Sequence, residues 1–406
     1  MTWPPIDLTD PDRFVAQEHH AMLAWLREHD PVHWHETGPG AGFWAVTGYD
    51  EVSAAYLDHA TFSSESGPML GGSFRSERDP AAGLMLVATD LPRQRMIRQQ
   101  LHWAFSQGML RKIAEQVSEL VGVAVDRAVI DGGCDFSTDI ATELPAGALM
   151  AMMGIAHQDA DELIGMTRRM IGFRDPSLSD VAEDERLHLA MTQADIFEFF
   201  AEIIRERRKN PGEDLVSFLL GAEMNGRPWT EDEILYNCLN VVVGGNETSS
   251  YTACSGVEAL IAHPHQYAKL RTSPGQLDSA VNEILRWSST NFYVRRGALQ
   301  DVEIGGRTIR SGDVVTLWNV SANRDASQFD APEVFDLART PNRHLSYGVG
   351  LHRCIGAMLA HTELSILFGK IARIEVTAAL AGPVKRLRSN FINGITSFPI
   401  QFGNQR

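Results

Sequence analysis

HLSYGVGLHRCIGAMLA, residues 344–360, sets one cysteine between a glycine-punctuated loop and an apolar run with helical spacing. Cys354 would stand where a loop meets a helix N-terminus, and there free backbone N–H groups and the helix dipole favour a thiolate. Gly348 and Gly350 would let the backbone turn tightly and approach a flat ligand closely. A lone cysteine is ordinarily a buried structural residue, so the meaning of this loop depends on what the rest of the chain supplies.

The chain has 406 residues, 44% hydrophobic and 22% charged, an ordinary balance for a soluble globular protein. Lys and Arg total 36 against 52 Asp and Glu, a formal net charge of −16, which disfavours nucleic acid or an anionic membrane as a partner. The start, MTWPPIDLTDPDRFVAQEHH, lacks the basic head and apolar core of a signal peptide. The longest apolar run, Leu144 to Ala156, is too short to span a bilayer as a membrane anchor. Cys134, Cys238, Cys254 and Cys354 are widely spaced with no CxxC, so neither a disulfide framework nor a zinc site is indicated. A cytoplasmic protein is expected. No internal repeat or low-complexity linker offers a place to cut the chain, so residues 1–406 read as a single domain. A monomer is expected.

Most of the sequence has helical periodicity, as in QVSELVGVAVDRAV, QADIFEFFAEIIRERRK and AHTELSILFGKIARI. Strand-like stretches cluster early, in HWHETGPGAGFWAVTGY, and late, in DVEIGGRTIRSGDVVTLWNV, where Gly305-Gly306 reads as a hairpin turn. The expected class is mainly α, a large helical protein with a small β-rich region. One helix stands out: Thr230 and Glu233 fit a capping box and Pro264 supplies a stop. The ~32 residues between them would make a helix of roughly 48 Å. VVVGGNETSS lies in its middle, where two adjacent glycines each cost about 1 kcal/mol relative to alanine. With Asn246, Glu247 and Thr248 following, the segment reads as a polar device in a loosened helical turn, aimed into an apolar cavity.

Tyr347-Gly348-x-Gly350-x-His352-x-Cys354-x-Gly356 resembles the haem-binding loop of the cytochrome P450 family, and its partner motifs occur in the family's order along nearly the whole chain. Glu283-Ile284-Leu285-Arg286 resembles the family's ExxR pair, which at a spacing of three shares a helix face. ANRD at 322–325 with FDAPEVFDLAR resembles the segment that closes on the pair, with Arg324 or Arg339 as its third member. GGNET at 244–248 resembles the oxygen-binding groove of the long central helix.

The resemblance implies the P450 fold, with haem b between that helix and the cysteine loop, and Cys354 as axial metal ligand. A thiolate in that role pushes electron density onto the iron and favours O–O cleavage. Glu247 and Thr248 would position water and relay protons to the oxygen being activated. Arg98, Arg296 and His352 match the family's propionate-binding positions. The chain departs from the pattern at Gln94, where bacterial members often have His, and at Tyr347, where Phe is usual. The Tyr347 hydroxyl would either find a backbone partner or alter the field at sulfur.

The implied activity is that of a monooxygenase hydroxylating a small organic substrate, free or carrier-bound, in secondary metabolism. Oxidative coupling without oxygen insertion and a haem-thiolate sensor are the alternatives. The family's substrate-contacting segments fall at 64–87, around IGFRDPSLSDVAEDERLHL, before the double glycine, at SSTNFYV and at NFINGI. They put Asn240, Asn291 and Asn393 beside Val243, Gly244, Phe292, Val294, Ile392 and Ile395. Amides in such a pocket point to a substrate with polar handles. No flavin or nicotinamide fingerprint is present, so electrons would come from a ferredoxin and its ferredoxin reductase. Arg93, Arg95, Arg98, Arg111, Lys112 and Arg353 would form a basic docking patch on the cysteine side.

Overall fold

The computed structural model describes residues 6–70, 78–179 and 185–403. The expected central helix runs without a break over Glu231–Ala262, 32 residues. Thr230 and Glu233 exchange the two hydrogen bonds of the capping box, and Glu233 is further held by Arg93 and Arg227. His263 closes the helix and Pro264 opens the next one. The double glycine does not loosen the helix. Its cost is met by tertiary packing, because the apolar face meets helices Glu143–Met153, His157–Ile171, Leu277–Ser288 and Ala357–Ile371.

Polar side chains of the central helix are stitched to five distant segments. Asn237 donates to the Leu84 carbonyl at 2.7 Å and accepts from Leu86 N–H at 3.1 Å. Asn246 donates to Thr167 at 3.1 Å, Ser249 to Glu363 at 2.5 Å and Ser250 to the Ala141 carbonyl at 2.9 Å. Thr252 shares a 2.7 Å hydrogen bond with Thr290.

The early and late strand-like stretches join in one five-stranded sheet. Its spatial order is Val32–Gly38, Ala41–Val46, Val314–Leu317, Val294–Ala298 and Phe62–Ser63. The pairing of Ala41–Val46 with Val314–Leu317 is parallel and the others are antiparallel. Gly305 and Gly306 turn the hairpin between Val302–Ile304 and Arg307–Ile309 as expected, with φ of 53° and 74°.

Glu283 and Arg286 are both fully buried and paired bidentately, at 2.8 Å for each contact. Arg286 also donates to the carbonyls of Asn323, Pro332 and Val334. The third member is Arg339, which donates to Glu283 at 3.1 Å, with Asn342 and the Asp336 N–H completing the carboxylate's shell. Arg324 does not join them. It pairs with Glu333 at 2.7 Å and stacks on Trp287, 4.4 Å from the ring centroid. Asn323, beside it, ties the pair to the cysteine loop: its side chain accepts from Leu345 N–H and donates to Ser346 and Ser289.

The N-terminal core contains a buried base. His19 stacks on Phe14 at 5.1 Å and meets Phe292 edge-on at 4.8 Å, and neither ring nitrogen has a hydrogen-bond partner. Burial, reinforced by Arg324 and Arg386, pushes its pKa down to about 3. A histidine lowered in the folded state costs stability as pH falls from its unfolded value near 6.5 towards the folded one. His19→Phe keeps the ring stack and removes this term. Between pH 7 and pH 5 the variant should gain about 2 kcal/mol over the parent, read from urea midpoints. Parallel pH dependences of the two proteins would show that His19 does not titrate in this way.

Candidate functional site

The cysteine loop is built to a fixed shape. Gly348 and Gly350 have φ of 61° and 76°, the left-handed region that a side chain disfavours. At Gly350 an added Cβ would also come within 3.1 Å of the Tyr56 carbonyl oxygen. Cys354 N–H closes the loop on the Tyr347 carbonyl at 2.8 Å. Gln94, fully buried, braces it from the helix Arg93–Leu101 by donating to the Leu351 carbonyl at 3.1 Å. That amide therefore holds the loop itself and presents no accessible group.

Cys354 lies two residues before Gly356, the N-cap of helix Ala357–Ile371. The residue is exposed, although protein surrounds it, so it is not part of the packed core. Burial pushes the thiol up, while the Gly356 N–H, Arg98 and Arg353 pull it down. Around the loop stand basic groups without an anion. Arg296 is buried, donates to the Arg295 carbonyl at 2.7 Å and lies 5.8 Å from the centre of the Tyr56 ring. Arg98 is half-buried, and His352 buries an Nε2 with no partner. Burial and the charges of Arg296 and Arg98 push His352 down to about 3. Among the described residues, none of the three has a carboxylate within ion-pair distance.

The central helix presents an open stretch of its own. Gly244 is exposed, and Val243, Gly245 and Thr248 are half-buried. Nothing lies within 4 Å of where a Cβ on either glycine would stand. Thr248 donates to the Gly244 carbonyl at 2.7 Å. The next residue, Ser249, is the one bound to Glu363, nine positions beyond Cys354, so groove and cysteine helix are pinned together. Glu363 is buried with that hydroxyl as its hydrogen-bond partner, and burial pushes its carboxyl up to about 8 against that bond.

Glu247 does not face the groove. It is 0% exposed, with Oε2 3.3 Å from the Arg168 Nε and Oε1 buried without a partner. The helical turn puts Thr248 on the open side and Glu247 against helix His157–Ile171. The Tyr347 hydroxyl is buried with no partner, which removes the alternative of a backbone acceptor.

The substrate-side expectations divide. Asn240 and Asn291 each bury a carbonyl oxygen with no partner, and Val294 is half-buried. Phe292 is not on an open wall: it packs at 1% exposure against Phe14 and His19. Ile392, at 3% exposure, packs with Tyr251 and Leu387. Asn393 braces a loop through its own amides, to the carbonyls of Ser288 and Thr290. Residues 71–77 and 180–184, within two of the expected substrate segments, lie outside the described residues.

Of the expected basic patch, Arg93 is committed to Glu233 and the Gly83 carbonyl. Arg95, Arg111, Lys112 and Arg353 are exposed, on segments that meet at the Gln94–Leu351 and Phe105–Gly356 contacts.

Arg168, Ser249, Tyr251 and Glu363 were not singled out by sequence. Arg168 is 79 residues from Glu247 and carries no local signal. Tyr251 was visible as the residue one helical turn after Glu247, and Glu363 as a charge on the apolar face of its helix.

The orphaned His352 nitrogen, the two unpaired arginines and the exposed Cys354 fit a flat, dianionic, iron-bearing ligand. No helix among the described residues is long and apolar enough to cross a membrane. A profile of the family Cytochrome P450 matches residues 16–273 and 276–373. Cytochrome P450 NovI of Streptomyces niveus is 33% identical over 397 residues, 98% of this chain and 96% of that protein. Linalool 8-monooxygenase of Pseudomonas putida is 30% identical, covering 97% and 98% of the two chains. The crystal structure of P450 OxyD, involved in the biosynthesis of vancomycin-type antibiotics, superimposes with a TM-score of 0.87 at 34% identity. That match covers 99% of this chain and 100% of OxyD. Fold, cysteine loop and relatives agree: the chain belongs to the cytochrome P450 family and is a haem b-dependent monooxygenase.

Proposed function

We propose that this monooxygenase hydroxylates a small organic molecule of secondary metabolism, and that Glu247 and Thr248 deliver the protons its reaction consumes. Haem b, when bound, supplies the electron transfer that activates dioxygen. Cys354 would ligate the iron, stabilised as a thiolate by the Gly356 N–H and by Arg98 and Arg353. Arg98, Arg296 and His352 would hold the two propionates. Gln94 would act indirectly, by fixing the loop's position through Leu351.

The observation that carries the reading is the division of labour on one helical turn. Thr248 and Gly244 line the open side, while Glu247 is stored against Arg168 on the closed side. A hydroxyl at the reaction face can hand on a proton, and an acid behind it can replace that proton. The unpartnered carbonyl oxygens of Asn240 and Asn291 favour a substrate with hydrogen-bond donors over a plain hydrocarbon. The tailoring role draws on OxyD. Electrons would arrive from a ferredoxin, itself served by a reductase, docked by charge complementarity on Arg95, Arg111, Lys112 and Arg353.

Thr248→Ala should consume reductant at a rate comparable to the parent while forming less product and more hydrogen peroxide. Glu247→Gln should slow turnover by ~10²–10⁴, as for loss of a proton-transfer group. Peroxide and product are measured together. Unchanged coupling in both variants would remove the relay from the mechanism. A product lacking an atom from labelled dioxygen would point to coupling chemistry instead of hydroxylation.

A further inference from the structure

We infer that Tyr251 is a positioning residue for Glu247, forming with Arg168 a two-point latch that holds the carboxyl inside the helix packing, off the face lined by Gly244 and Thr248. The inference rests on the reading of Glu247 as proton donor and adds the group that controls it.

Two orphaned atoms lie one helical turn apart. Glu247 Oε1 and Tyr251 Oη are both buried, and neither has a well-formed hydrogen-bond partner. Residues four apart share a helix face, so phenol and carboxyl are neighbours. Each alters the other's proton affinity. Burial and then the Glu247 charge push the Tyr251 phenol far up, while burial raises Glu247 against the opposing pull of Arg168 and Tyr251. Oε2 is already taken by Arg168, which leaves Oε1 as the carboxyl atom for the phenol hydroxyl to serve.

The tyrosine cannot be the part that moves. Its ring is 1% exposed and packs with Leu387 and Ile392, and a Cβ on Gly394 would come within 2.8 Å of the ring. Arg168 is anchored as well, donating to the Ser137 carbonyl at 3.0 Å. For the Glu247 carboxyl, reaching the open face means leaving both partners. The other groups around the latch are Thr167 from the helix of Arg168 and Cys254 on the central helix itself, with Asp135 and Glu258 acting on Cys254.

Tyr251→Phe tests this, since it keeps the ring and removes a hydroxyl that no other group binds. Loss of a donor to the charged carboxylate should raise its proton affinity. The alkaline limb of the kcat–pH profile should then move up by about one unit, with KM and the carbon monoxide spectrum unchanged. Arg168→Gln, removing the other point, should move the limb the same way and further. In Glu247→Gln/Tyr251→Phe the profile should match that of Glu247→Gln alone. A Tyr251→Phe profile superimposable on the parent's, while Glu247→Gln abolishes the limb, would overturn the latch and leave the proton-donor role standing. A limb that survives Glu247→Gln would overturn both.

Discussion

Cys354→Ala is expected to lose the long-wavelength Soret band that the reduced, carbon monoxide-treated parent shows, together with all turnover. The expectation follows from how the chain distributes its sulfur. Cys238 and Cys254 are wholly buried with thiols pushed far up, and Cys134 is half-buried with its thiol raised to about 12 by burial and by Asp139 and Asp135. Cys354 alone combines accessibility with a backbone N–H and two arginines that favour the thiolate. No other cysteine can substitute, so the loss should be complete. Haem content and the spectrum are measured on the same preparation, because Arg98, Arg296 and His352 can still retain haem weakly. A Cys354→Ala protein that kept the band would refute the assignment.

The second large effect concerns Arg286. Its guanidinium is fully buried, with both contacts to Glu283 at 2.8 Å and three backbone carbonyls on its remaining N–H groups. Arg286→Ala leaves Glu283 buried with only Arg339, Asn342 and one backbone N–H, and takes the Arg286 donors from the Asn323 and Pro332 carbonyls, while Val334 keeps Arg339. Breaking one side of a buried pair costs roughly 3–5 kcal/mol, a large share of the ~5–15 kcal/mol that holds a protein folded. Because Asn323 links the pair to Leu345 and Ser346, the cysteine loop should loosen first. The yield of folded, haem-loaded protein should therefore collapse, and chemical unfolding of what remains should show the lowered midpoint. A variant as stable and as fully loaded as the parent would show that the pair is dispensable.

The sequence made legible those features whose chemistry is local. The capping box at Thr230, the Gly305-Gly306 turn and the Gly348/Gly350 loop each follow from residues within a few positions of one another, and each forms as read. What failed needed three dimensions. Arg324 and Arg339 were equivalent on spacing, and only the path of the chain after Asn323 decides that Arg339 reaches Glu283. Phe292 and Asn291 are adjacent, yet a strand-like backbone sends alternate side chains to opposite sides, so one joins the N-terminal core and the other does not. Glu247 and Thr248 are adjacent as well, and the helix turns them about 100° apart. Reading them as one device aimed one way missed Arg168, which comes from another helix.

The central helix has a consequence for how this protein folds. Its hydrogen bonds to Leu84, Ala141, Thr167, Thr290 and Glu363 span 153, 109, 79, 38 and 114 residues of sequence. None of these bonds can form until the chain on both sides has collapsed around the helix, so the entropy of closing large loops is spent before they return any stability. A helix-rich protein would ordinarily be expected to fold fast through local contacts, and this one should not. The helix should also lack a sub-global opening of its own, because freeing any stretch of it breaks ties to several distant segments at once. Backbone amides near Asn246 and Ser250 should thus exchange with solvent only through global unfolding, at the same free energy as the core amides of Ala357–Ile371.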